Sequence, residues 1–200
     1  MIDTILQLFD LPILVWIAEH LHCAFLNVLM PLITLFGEDG IFWIAVAVVL
    51  LFFKKTRKLG LMLGMSFLLG FLIGNCIIKP CVGRIRPYDY FADVLGNPVF
   101  RDQLLVDILH DFSFPSGHTL VSFEAASVLL MQRRKPWGWI ALVLAVLVAF
   151  SRLYLFVHYP TDVLAGALLG TLFGVLSCLI VGKLWDAAAA RRAAKRTENA

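Results

Sequence analysis

The chain has 200 residues, of which 60% are hydrophobic and 16% are charged, with a formal net charge of +3 and a mean hydropathy of +0.87. Ordinary soluble domains are less apolar, so this composition excludes that class and predicts an integral membrane protein. The length is sufficient for one helical bundle, and no Ser-, Gly- or Pro-rich linker interrupts it. We therefore predict a single integral membrane domain over residues 1–200.

Residues 1–36 are the most difficult segment to assign. They are apolar but are interrupted by polar residues such as Asp10, Glu19 and Asn27, and by Pro12 and Pro31. This pattern fits either a first membrane span or amphipathic helices that lie in the membrane interface, and we favour the interfacial helices. The segment lacks the basic start and the small-residue cleavage site of a signal peptide, so we expect it to stay in the mature protein.

Five apolar runs follow along the chain. About 20 residues cross the hydrocarbon core of a bilayer, and their backbone must satisfy its own hydrogen bonds as a helix. The runs cover residues 40–53, which can be extended back to residue 36, and residues 59–78, 118–131, 137–157 and 161–182. Together with the first segment, they predict an all-α polytopic membrane bundle of five or six transmembrane helices.

The distribution of Lys and Arg predicts the orientation of the bundle. Residues 54–58, residues 133–135 (Arg133, Arg134 and Lys135) and the tail 183–200 carry four, three and five of the seventeen basic residues. Basic segments of membrane proteins face the cytoplasm, so we place these three segments there and expect the tail to contact anionic lipid. The five remaining basic residues would then lie on the outer, non-cytoplasmic side.

Four of those five residues belong to three short polar clusters. The first cluster, residues 79–87, contains Lys79, Arg84 and Arg86 at the end of an apolar run. The planar guanidinium of arginine and the compact charge of lysine together suit a phosphoryl group, which has several oxygens to neutralise. The alternative is that these long side chains only extend from the helix end to the membrane interface.

The second cluster is the sequence Pro-Ser-Gly-His at residues 115–118. It precedes an apolar run, so Ser116 is predicted to be an N-cap and Gly117 and His118 to open a helix. Free backbone amides and the helix dipole attract an anion there, and glycine lets the anion approach the main chain. The alternative is an ordinary capped helix with a histidine at the interface.

The third cluster, residues 151–162, contains Ser151, Arg152, His158 and Asp162. If the turn between them is tight, the carboxylate of Asp162 can accept the proton of one ring nitrogen of His158. The other nitrogen is then free to attack an electrophile. The alternative is that Asp162 only caps a helix beside a histidine at the interface.

Glu124 is a further charged residue within a predicted span, six residues after His118. A buried unpaired carboxylate is unfavourable in a membrane, so Glu124 should face the interior of the bundle. It is either a partner of a site cation or of His118, or a protonated, hydrogen-bonded residue in helix packing. We favour the second, because about 9 Å of helix separates Glu124 from the phosphate level.

The three clusters resemble the signature of the type-2 phosphatidic acid phosphatase family. These membrane lipid phosphate phosphatases share a helical core with vanadium haloperoxidases and bacterial acid phosphatases. The signature is Lys-x6-Arg-Pro, then Pro-Ser-Gly-His, then Ser-Arg-x5-His-x3-Asp. The chain fills every specified position, at Lys79, Arg86 and Pro87, at residues 115–118, and at Ser151, Arg152, His158 and Asp162.

The resemblance implies a role for each of these residues. His158 would attack the phosphorus to form a phosphohistidine, Asp162 would orient it, and His118 would protonate the leaving oxygen. The non-bridging oxygens would be held by Lys79, Arg84, Arg86, Ser116, Gly117 and Arg152. No metal and no cofactor would be required, and the rate would have a bell-shaped pH dependence because the two histidines must differ in protonation.

The resemblance thus predicts a metal-independent phosphatase acting on a lipid phosphate or diphosphate in the cell membrane, without a nucleic-acid partner. We favour a polyprenyl carrier such as undecaprenyl diphosphate, while phosphatidylglycerophosphate and phosphatidate stay open. Two other classes are a vanadate-dependent peroxidase and a lipid-phosphate receptor or channel without turnover. The preference between monophosphate and diphosphate and the oligomeric state also stay open.

Overall fold

A computed structural model describes residues 5–132 and 135–198 of the chain, and the regular elements within these residues are helices. The all-α prediction is therefore confirmed. Arg133 and Arg134, which we predicted to face the cytoplasm, lie outside the described residues.

Seven helices of ten or more residues occur in the described part of the chain. They are α1 (Leu11–His20), α2 (Ala24–Thr34), α3 (Ile41–Phe52), α4 (Arg57–Leu69), α5 (Gly117–Met131), α6 (Trp137–Tyr154) and α7 (Pro160–Glu198). A π-helical turn (Leu6–Asp10) precedes α1, and a 3-10 segment (Leu35–Gly40) joins α2 to α3. Helix α4 continues through a π-helical stretch (Gly70–Ile78) into the turn Lys79–Val82. Three short helical segments, Pro87–Asp89, Tyr90–Val94 and Val99–Asp102, lie between this turn and α5.

Four helical stretches are long and apolar enough to cross a membrane. They cover Ala24–Phe52, Arg57–Val94, Trp137–Tyr154 and Pro160–Lys195, with 29, 38, 18 and 36 residues. Helix α5 is apolar but has only 15 residues, fewer than the roughly 20 that cross the hydrocarbon core. The multi-pass membrane fold is confirmed, whereas five or six spans, and the interfacial position of residues 1–36, stay predictions.

Helix α5 lies at the centre of the bundle and packs against α4, α6 and α7. Its contact with α7 is close because three glycines of α7, at positions 166, 170 and 174, face it. A Cβ atom on Gly166 would lie 2.7 Å from the carbonyl oxygen of Ser116, and one on Gly174 would lie 2.8 Å from the Cβ of Ser127. Side chains at these positions would force the two helices apart, so glycine sets their separation.

A second apolar core lies at the end of the bundle where the polar clusters fall. It joins α1 and α2 to the segment after α6, through buried residues such as Leu14, Tyr88, Tyr154 and Phe156. The π-helical turn before α1 carries the fully buried Asp10. The N-terminal helices therefore cover the end of the bundle that holds the predicted site.

Candidate active site

The three polar clusters meet at one end of a cavity of about 800 Å³. Five of the predicted site residues line this polar end, namely Lys79, Arg86, His118, Arg152 and His158. Gly117 lines the cavity as well, whereas Asp162 lies behind His158 and is fully buried. The fold therefore brings together residues that the sequence separates into three clusters.

His158 lies between α6 and α7 and is almost completely buried. Its Nδ1 lies 3.5 Å from Oδ2 of Asp162 and 3.4 Å from the hydroxyl of Ser113. The same carboxylate oxygen accepts hydrogen bonds from the Ser113 hydroxyl, at 2.5 Å, and from the backbone N–H of Tyr159, at 3.0 Å. On the other side of the ring, Nε2 lies 3.3 Å from Nη1 of Arg86. The nitrogen that faces the cations is therefore Nε2.

The local sequence explains how His158 and Asp162 meet. Helix α6 ends at Tyr154, and Phe156 turns the chain with a left-handed backbone conformation, at φ 60°. Helix α7 then begins at Pro160, because proline suits the first position of a helix. Asp162 follows in the first turn of α7, where a negative charge is favourable. The tight turn that the sequence analysis required is present.

His158 should remain uncharged at neutral pH. Burial, followed by the positive charges of Arg86 and Arg152, lowers the pKa of His158 well below its ordinary value of 6.5. A lowered pKa means that the ring takes up a proton only at a lower pH, so the free base needed for nucleophilic attack predominates. We expect the ring nitrogen NMR signals of His158 in detergent-solubilised protein to keep their neutral pattern from about pH 8 to about pH 6.

The His158→Gln variant assigns these signals, because only the signals of the replaced ring disappear. His110, which is exposed in the loop before α5, provides an internal reference for a ring open to solvent. A His158 signal that titrates at or above pH 6.5 would contradict the expected neutral state.

His118 is in the first turn of α5 and contacts a residue that the sequence analysis did not select. Its Nε2 lies 3.1 Å from a carboxylate oxygen of Glu38, in the 3-10 segment between α2 and α3. The segment is bent there, with left-handed backbone conformations at Asp39 and Gly40. A Cβ atom on Gly37 would lie 2.9 Å from two carbon atoms of His118, so the bend packs directly on the ring. In the sequence, Glu38 belongs to an acidic pair between two glycines, which could have marked it as a special position. The sequence does not show, however, that its partner is the distant His118.

Ser116 and Gly117 occupy the predicted start of α5. Ser116 is the N-cap residue, as predicted, but its side chain forms no capping hydrogen bond. Instead, its buried hydroxyl oxygen accepts a hydrogen bond from the hydroxyl of Thr119 at 3.0 Å, and its backbone N–H donates to the carbonyl of Asp162 at 3.1 Å. The second bond links the start of α5 to the start of α7, so the two histidine-bearing segments are tied together.

Lys79 and Arg86 both pair with the same carboxylate. One oxygen of Asp111 binds Nζ of Lys79, and the other binds Nη2 of Arg86. Arg86 also donates from Nε to the carbonyl of Asp111, at 3.0 Å, and from Nη1 to the carbonyl of Val157, at 2.8 Å. Main-chain and side-chain acceptors thus hold this guanidinium in place at the polar end of the cavity.

Arg152 lies on α6 and is almost completely buried. Its Nη1 donates to the hydroxyl of Thr34 at 2.7 Å. Its Nε is buried without a hydrogen-bond partner among the residues that the structure describes. A buried donor without a partner is unfavourable, so an anion in the adjoining cavity would supply the missing acceptor.

The structure places Arg84 away from the predicted oxygen ligands. Its guanidinium donates to Oδ1 of Asp162 at 2.6 Å, to Oδ2 of Asp10 at 2.6 Å and to the hydroxyl of Thr161 at 2.7 Å. Asp10 and Asp162 are both fully buried, and buried carboxylates require a cationic partner. This need accounts for the position of Arg84, whose guanidinium is engaged by the two carboxylates, and its direct binding to phosphate stays a prediction.

Asp10 was noted in the sequence only as an interruption of an apolar segment. In the structure it accepts hydrogen bonds from Arg84 and from the backbone N–H and hydroxyl of Thr161, at 2.6–2.9 Å. These contacts support Asp162 from the side opposite His158. Sequence alone could not reveal them, since Asp10 and Thr161 are 151 positions apart.

We expect Asp10→Asn to lower kcat by about tenfold, because supporting partners of a reacting group commonly contribute this much. Asparagine keeps the size of the side chain but removes the charge that holds Arg84 against Asp162. The change in kcat should exceed the change in KM, since Asp10 does not line the cavity. Steady-state kinetics of the detergent-purified variant measures both constants.

Asp102→Asn is the matched control, because Asp102 is exposed and forms no ion pair among the described residues. A thermal unfolding curve separates positioning from loss of fold. An unchanged kcat in folded Asp10→Asn protein would show that Asp10 does not support the site.

Glu124 is buried on α5 and lines the cavity below the polar end. Neither carboxylate oxygen has a hydrogen-bond partner among the described residues, and one of them lies against Gly70. The structure therefore shows no contact between Glu124 and a site cation or His118. The contact with Gly70 fits a place in helix packing, but the hydrogen bond that we expected there is absent among the described residues, so the role of Glu124 stays a prediction.

The rest of the cavity is an apolar groove between α3 and α4. Its walls carry Ile44, Val48 and Leu51 of α3 and Phe67 and Leu68 of α4. Gly60 and Gly64 also line it, which widens the groove because they have no side chain. The eight residues from Ile44 to Leu51 span about 10 Å of helix. The site thus combines a cationic end with an apolar groove of the kind that a lipid tail requires.

Comparison with known proteins finds a matching family model and proteins of similar sequence. The family model of the PAP2 superfamily matches residues 55–186, which include all three clusters. The undecaprenyl-diphosphatase of Sulfolobus acidocaldarius is 39% identical over 158 residues, covering 78% of this chain and 71% of that protein. The bacitracin transport permease protein BcrC of Bacillus licheniformis is 32% identical over 162 residues, covering 80% and 73%.

A solved structure is similar over nearly the whole chain. It is the crystal structure of a transmembrane PAP2 type phosphatidylglycerolphosphate phosphatase from Bacillus subtilis. The TM-score is 0.69 at 29% sequence identity, and the match covers 89% of this chain and 87% of that one. The similarity therefore extends to the N-terminal helices that cover the site, beyond the segment that the family model matches.

Proposed function

The chain belongs to the PAP2 superfamily, as its three clusters predicted, and from that premise we propose that it hydrolyses membrane lipid phosphates through a phosphohistidine at His158. One observation carries this proposal. His158 is buried with Nδ1 facing the carboxylate of Asp162, and Nε2 faces the cationic end of a cavity whose other end is apolar. A nucleophile, an orienting acid, an anion site and a lipid groove are thus in one place.

In the first step, Nε2 of His158 attacks the phosphorus and the bond from phosphorus to the lipid oxygen breaks. His118 donates a proton to that oxygen, which leaves as the lipid alcohol or lipid phosphate. In the second step, His118 accepts a proton from water, and the resulting hydroxide attacks the phosphohistidine. Phosphate and neutral His158 are released, and His118 is again protonated.

The negative charge that develops during both steps requires several donors. Lys79, Arg86 and Arg152 would supply positive charge at the cavity end, and the Nε donor of Arg152 has no other partner among the described residues. The Gly117 amide and the Ser116 hydroxyl would donate from the start of α5. Arg84 would act through Asp162.

The groove between α3 and α4 supports a substrate whose tail remains in the bilayer. We favour a polyprenyl diphosphate such as undecaprenyl diphosphate, the substrate named for the relative from Sulfolobus acidocaldarius. Phosphatidylglycerophosphate, named for the similar solved structure, and phosphatidate are the alternatives. All three share the terminal phosphate. Undecaprenyl diphosphate differs from the other two in its tail, whereas phosphatidylglycerophosphate and phosphatidate both have diacylglycerol tails and differ in the head group.

The site would face the non-cytoplasmic side of the cell membrane, with the C-terminal tail in the cytoplasm. An ion pair of 3.1 Å joins Lys58, in the first basic segment, to Asp186, near the basic tail. The two basic segments therefore lie at one end of the bundle. Their common location supports the cytoplasmic assignment of that end, since basic segments are retained there.

The test is release of inorganic phosphate by the detergent-purified protein from undecaprenyl diphosphate, phosphatidylglycerophosphate and phosphatidate, with EDTA present. We expect release to persist in EDTA, and the relative rates identify the preferred lipid. Loss of release in EDTA would overturn the metal-independent mechanism. No release from any of the three lipids by folded protein would overturn the proposed activity.

Two other functions are outcomes of the same test. The name of the relative from Bacillus licheniformis, a transport permease protein, favours binding without hydrolysis as the second candidate. Lipid-phosphate binding without phosphate release would support it. Peroxide-dependent halogenation after addition of vanadate would instead support the peroxidase, although the apolar groove favours a lipid substrate.

A further inference from the structure

The carboxylate of Asp111 occupies the cationic end of the cavity. Its two oxygens bind two different cations, Lys79 and Arg86, and its side chain is half exposed and lines the cavity. Two non-bridging oxygens of a phosphate would bind these two cations in the same arrangement, because they too are attached to one central atom. Asp111 and a bound phosphate therefore compete for the same two side chains.

Asp111 remains negatively charged while it is bound there. Burial opposes ionisation, but the hydrogen bond from Lys79 and the charge of Arg86 lower the pKa of Asp111 well below its ordinary value of 3.8. The group lies in the loop before α5, outside the helical stretches that could cross the membrane. The competing charge is consequently permanent over the physiological pH range.

The loop restricts how Asp111 can leave. On one side, Leu109 is fixed by two hydrogen bonds to the hydroxyl of Tyr88, at 2.8 and 3.1 Å. On the other side, the N–H of Ser113 donates to the carbonyl of Arg84 at 2.7 Å. With both flanks fixed, the exposed side chain can rotate towards solvent while the backbone stays in place. Displacement therefore requires the loss of two ion pairs whose cations, Lys79 and Arg86, are largely buried, so an incoming anion must replace the carboxylate on both.

We propose that Asp111 sets the specificity of the site by competing for its cations, so that singly charged lipid phosphodiesters bind too weakly to occupy it, whereas monoesters and diphosphates, which bind the cations more strongly, still displace the carboxylate. A phosphodiester carries one negative charge, as the carboxylate of Asp111 does. Replacing the carboxylate by a phosphodiester would therefore hardly improve the electrostatic interaction with the cations. A monoester or a diphosphate carries more charge and displaces the carboxylate with a net electrostatic gain. This inference rests on the proposed function, because it concerns the access of lipids to the same site.

The cations alone cannot keep phosphodiester lipids out of the site. Lys79, Arg86 and Arg152 would attract any lipid with a phosphate group, including the phosphodiesters that make up a bilayer. Such lipids cannot be hydrolysed as monoesters and would act as inhibitors at high local concentration. A resident carboxylate disfavours them without contacting the tail, as repulsive elements do at selective sites.

The experiment compares wild-type protein with Asp111→Asn. Asparagine preserves the side-chain size and the backbone carbonyl that binds Arg86, but removes the competing charge. Binding of inorganic phosphate is measured by titration calorimetry, and inhibition of phosphatidate hydrolysis by phosphatidylglycerol is measured in mixed micelles. We expect Asp111→Asn to bind phosphate roughly tenfold more tightly, because the site is no longer occupied by its own carboxylate.

Phosphatidylglycerol should inhibit Asp111→Asn at a concentration roughly tenfold lower than wild type, for the same reason. The matched control is Asp107→Asn in the same loop, where Asp107 is exposed and forms no ion pair among the described residues. It removes the same charge and should leave both measurements unchanged. Asp111→Ser, a second variant without the charge, should behave as Asp111→Asn if the charge is the cause.

Three outcomes overturn the proposal, and they are distinguishable. If wild type hydrolyses a lipid phosphate but both Asp111 variants show unchanged phosphate binding and unchanged inhibition, Asp111 does not determine specificity. Equal effects in Asp107→Asn would lead to the same conclusion, since general charge would then be the cause. If wild type neither binds inorganic phosphate nor releases it from any lipid, the proposed function fails and this inference fails with it.

Discussion

Replacing His158 by glutamine should lower phosphate release by a factor of at least about 10⁴, since removal of a covalent nucleophile has effects of this size. Glutamine can keep a hydrogen bond to Arg86 or Asp162 but cannot form the phosphorylated intermediate. The loss should be the same for all three candidate lipids, because in the proposed mechanism His158 would contact the phosphorus and not the tail. Phosphate release from detergent-purified protein measures it.

His110→Gln is the matched control, because it replaces an exposed histidine in the loop before α5 and should retain full activity. Rapid alkaline quenching of wild type during turnover should trap a phosphorylated protein, since phosphohistidine survives alkali and is hydrolysed by acid. Residual activity of His158→Gln above about one per cent of wild type would contradict the nucleophilic role, given the size of the expected loss.

Replacing His118 by glutamine should lower kcat for lipid phosphates by about 10²–10⁴, the usual contribution of a general acid. The lipid oxygen is a poor leaving group unless it is protonated as it departs. An aryl phosphate with a strongly acidic phenol leaves without a proton, so formation of the phosphohistidine from it should depend much less on His118. A burst of phenol release followed by slow phosphate release is the expected pattern.

The comparison between the two substrates separates His118 from His158. His158→Gln should lose activity towards both substrates, whereas His118→Gln should retain the burst with the aryl phosphate. An equal loss with both substrates would remove the general-acid role and indicate that His118 only holds the 3-10 segment through Glu38, 3.1 Å away.

The sequence was informative where the chemistry depends on short spacings. His158 and Asp162 are four positions apart, and the proline at the start of α7 makes their turn foreseeable. Ser116, Gly117 and His118 are adjacent, so their location at a helix start could be predicted. These groups required only local geometry, which a single sequence contains.

Contacts between distant segments could not be predicted in this way. Asp10, Glu38 and Asp111 each bind a predicted site residue, yet each lies among other acidic residues that have no such partner in the described chain. The contacts of Arg84 were missed for the same reason, because its proximity to Arg86 in sequence suggested only a common ligand. Its true partner, Asp10, is 74 positions away.

The architecture was predictable in class and less so in its boundaries. Apolar composition required helices, and they are present. The predicted run 118–131 matches α5, which begins only one residue earlier, at Gly117. The last predicted run, in contrast, ended at residue 182 but continues as helix to Glu198. Alanine-rich sequence after residue 186 favours helix without membrane burial, so hydropathy alone placed the end too early.

The glycines of α7 that pack against α5 affect which parts of this fold can change independently during evolution. Helices α5 and α7 meet through backbone at Gly166 and Gly170, where there are no rotamers to rearrange. The spacing between the two reacting histidines is thus determined on one side of α5, while the groove for the tail is formed by α3 and α4 on another. Substitutions that widen or narrow the groove should therefore change which lipid is accepted without changing the rate of the chemical step. Tail preference and catalysis can evolve separately in this fold.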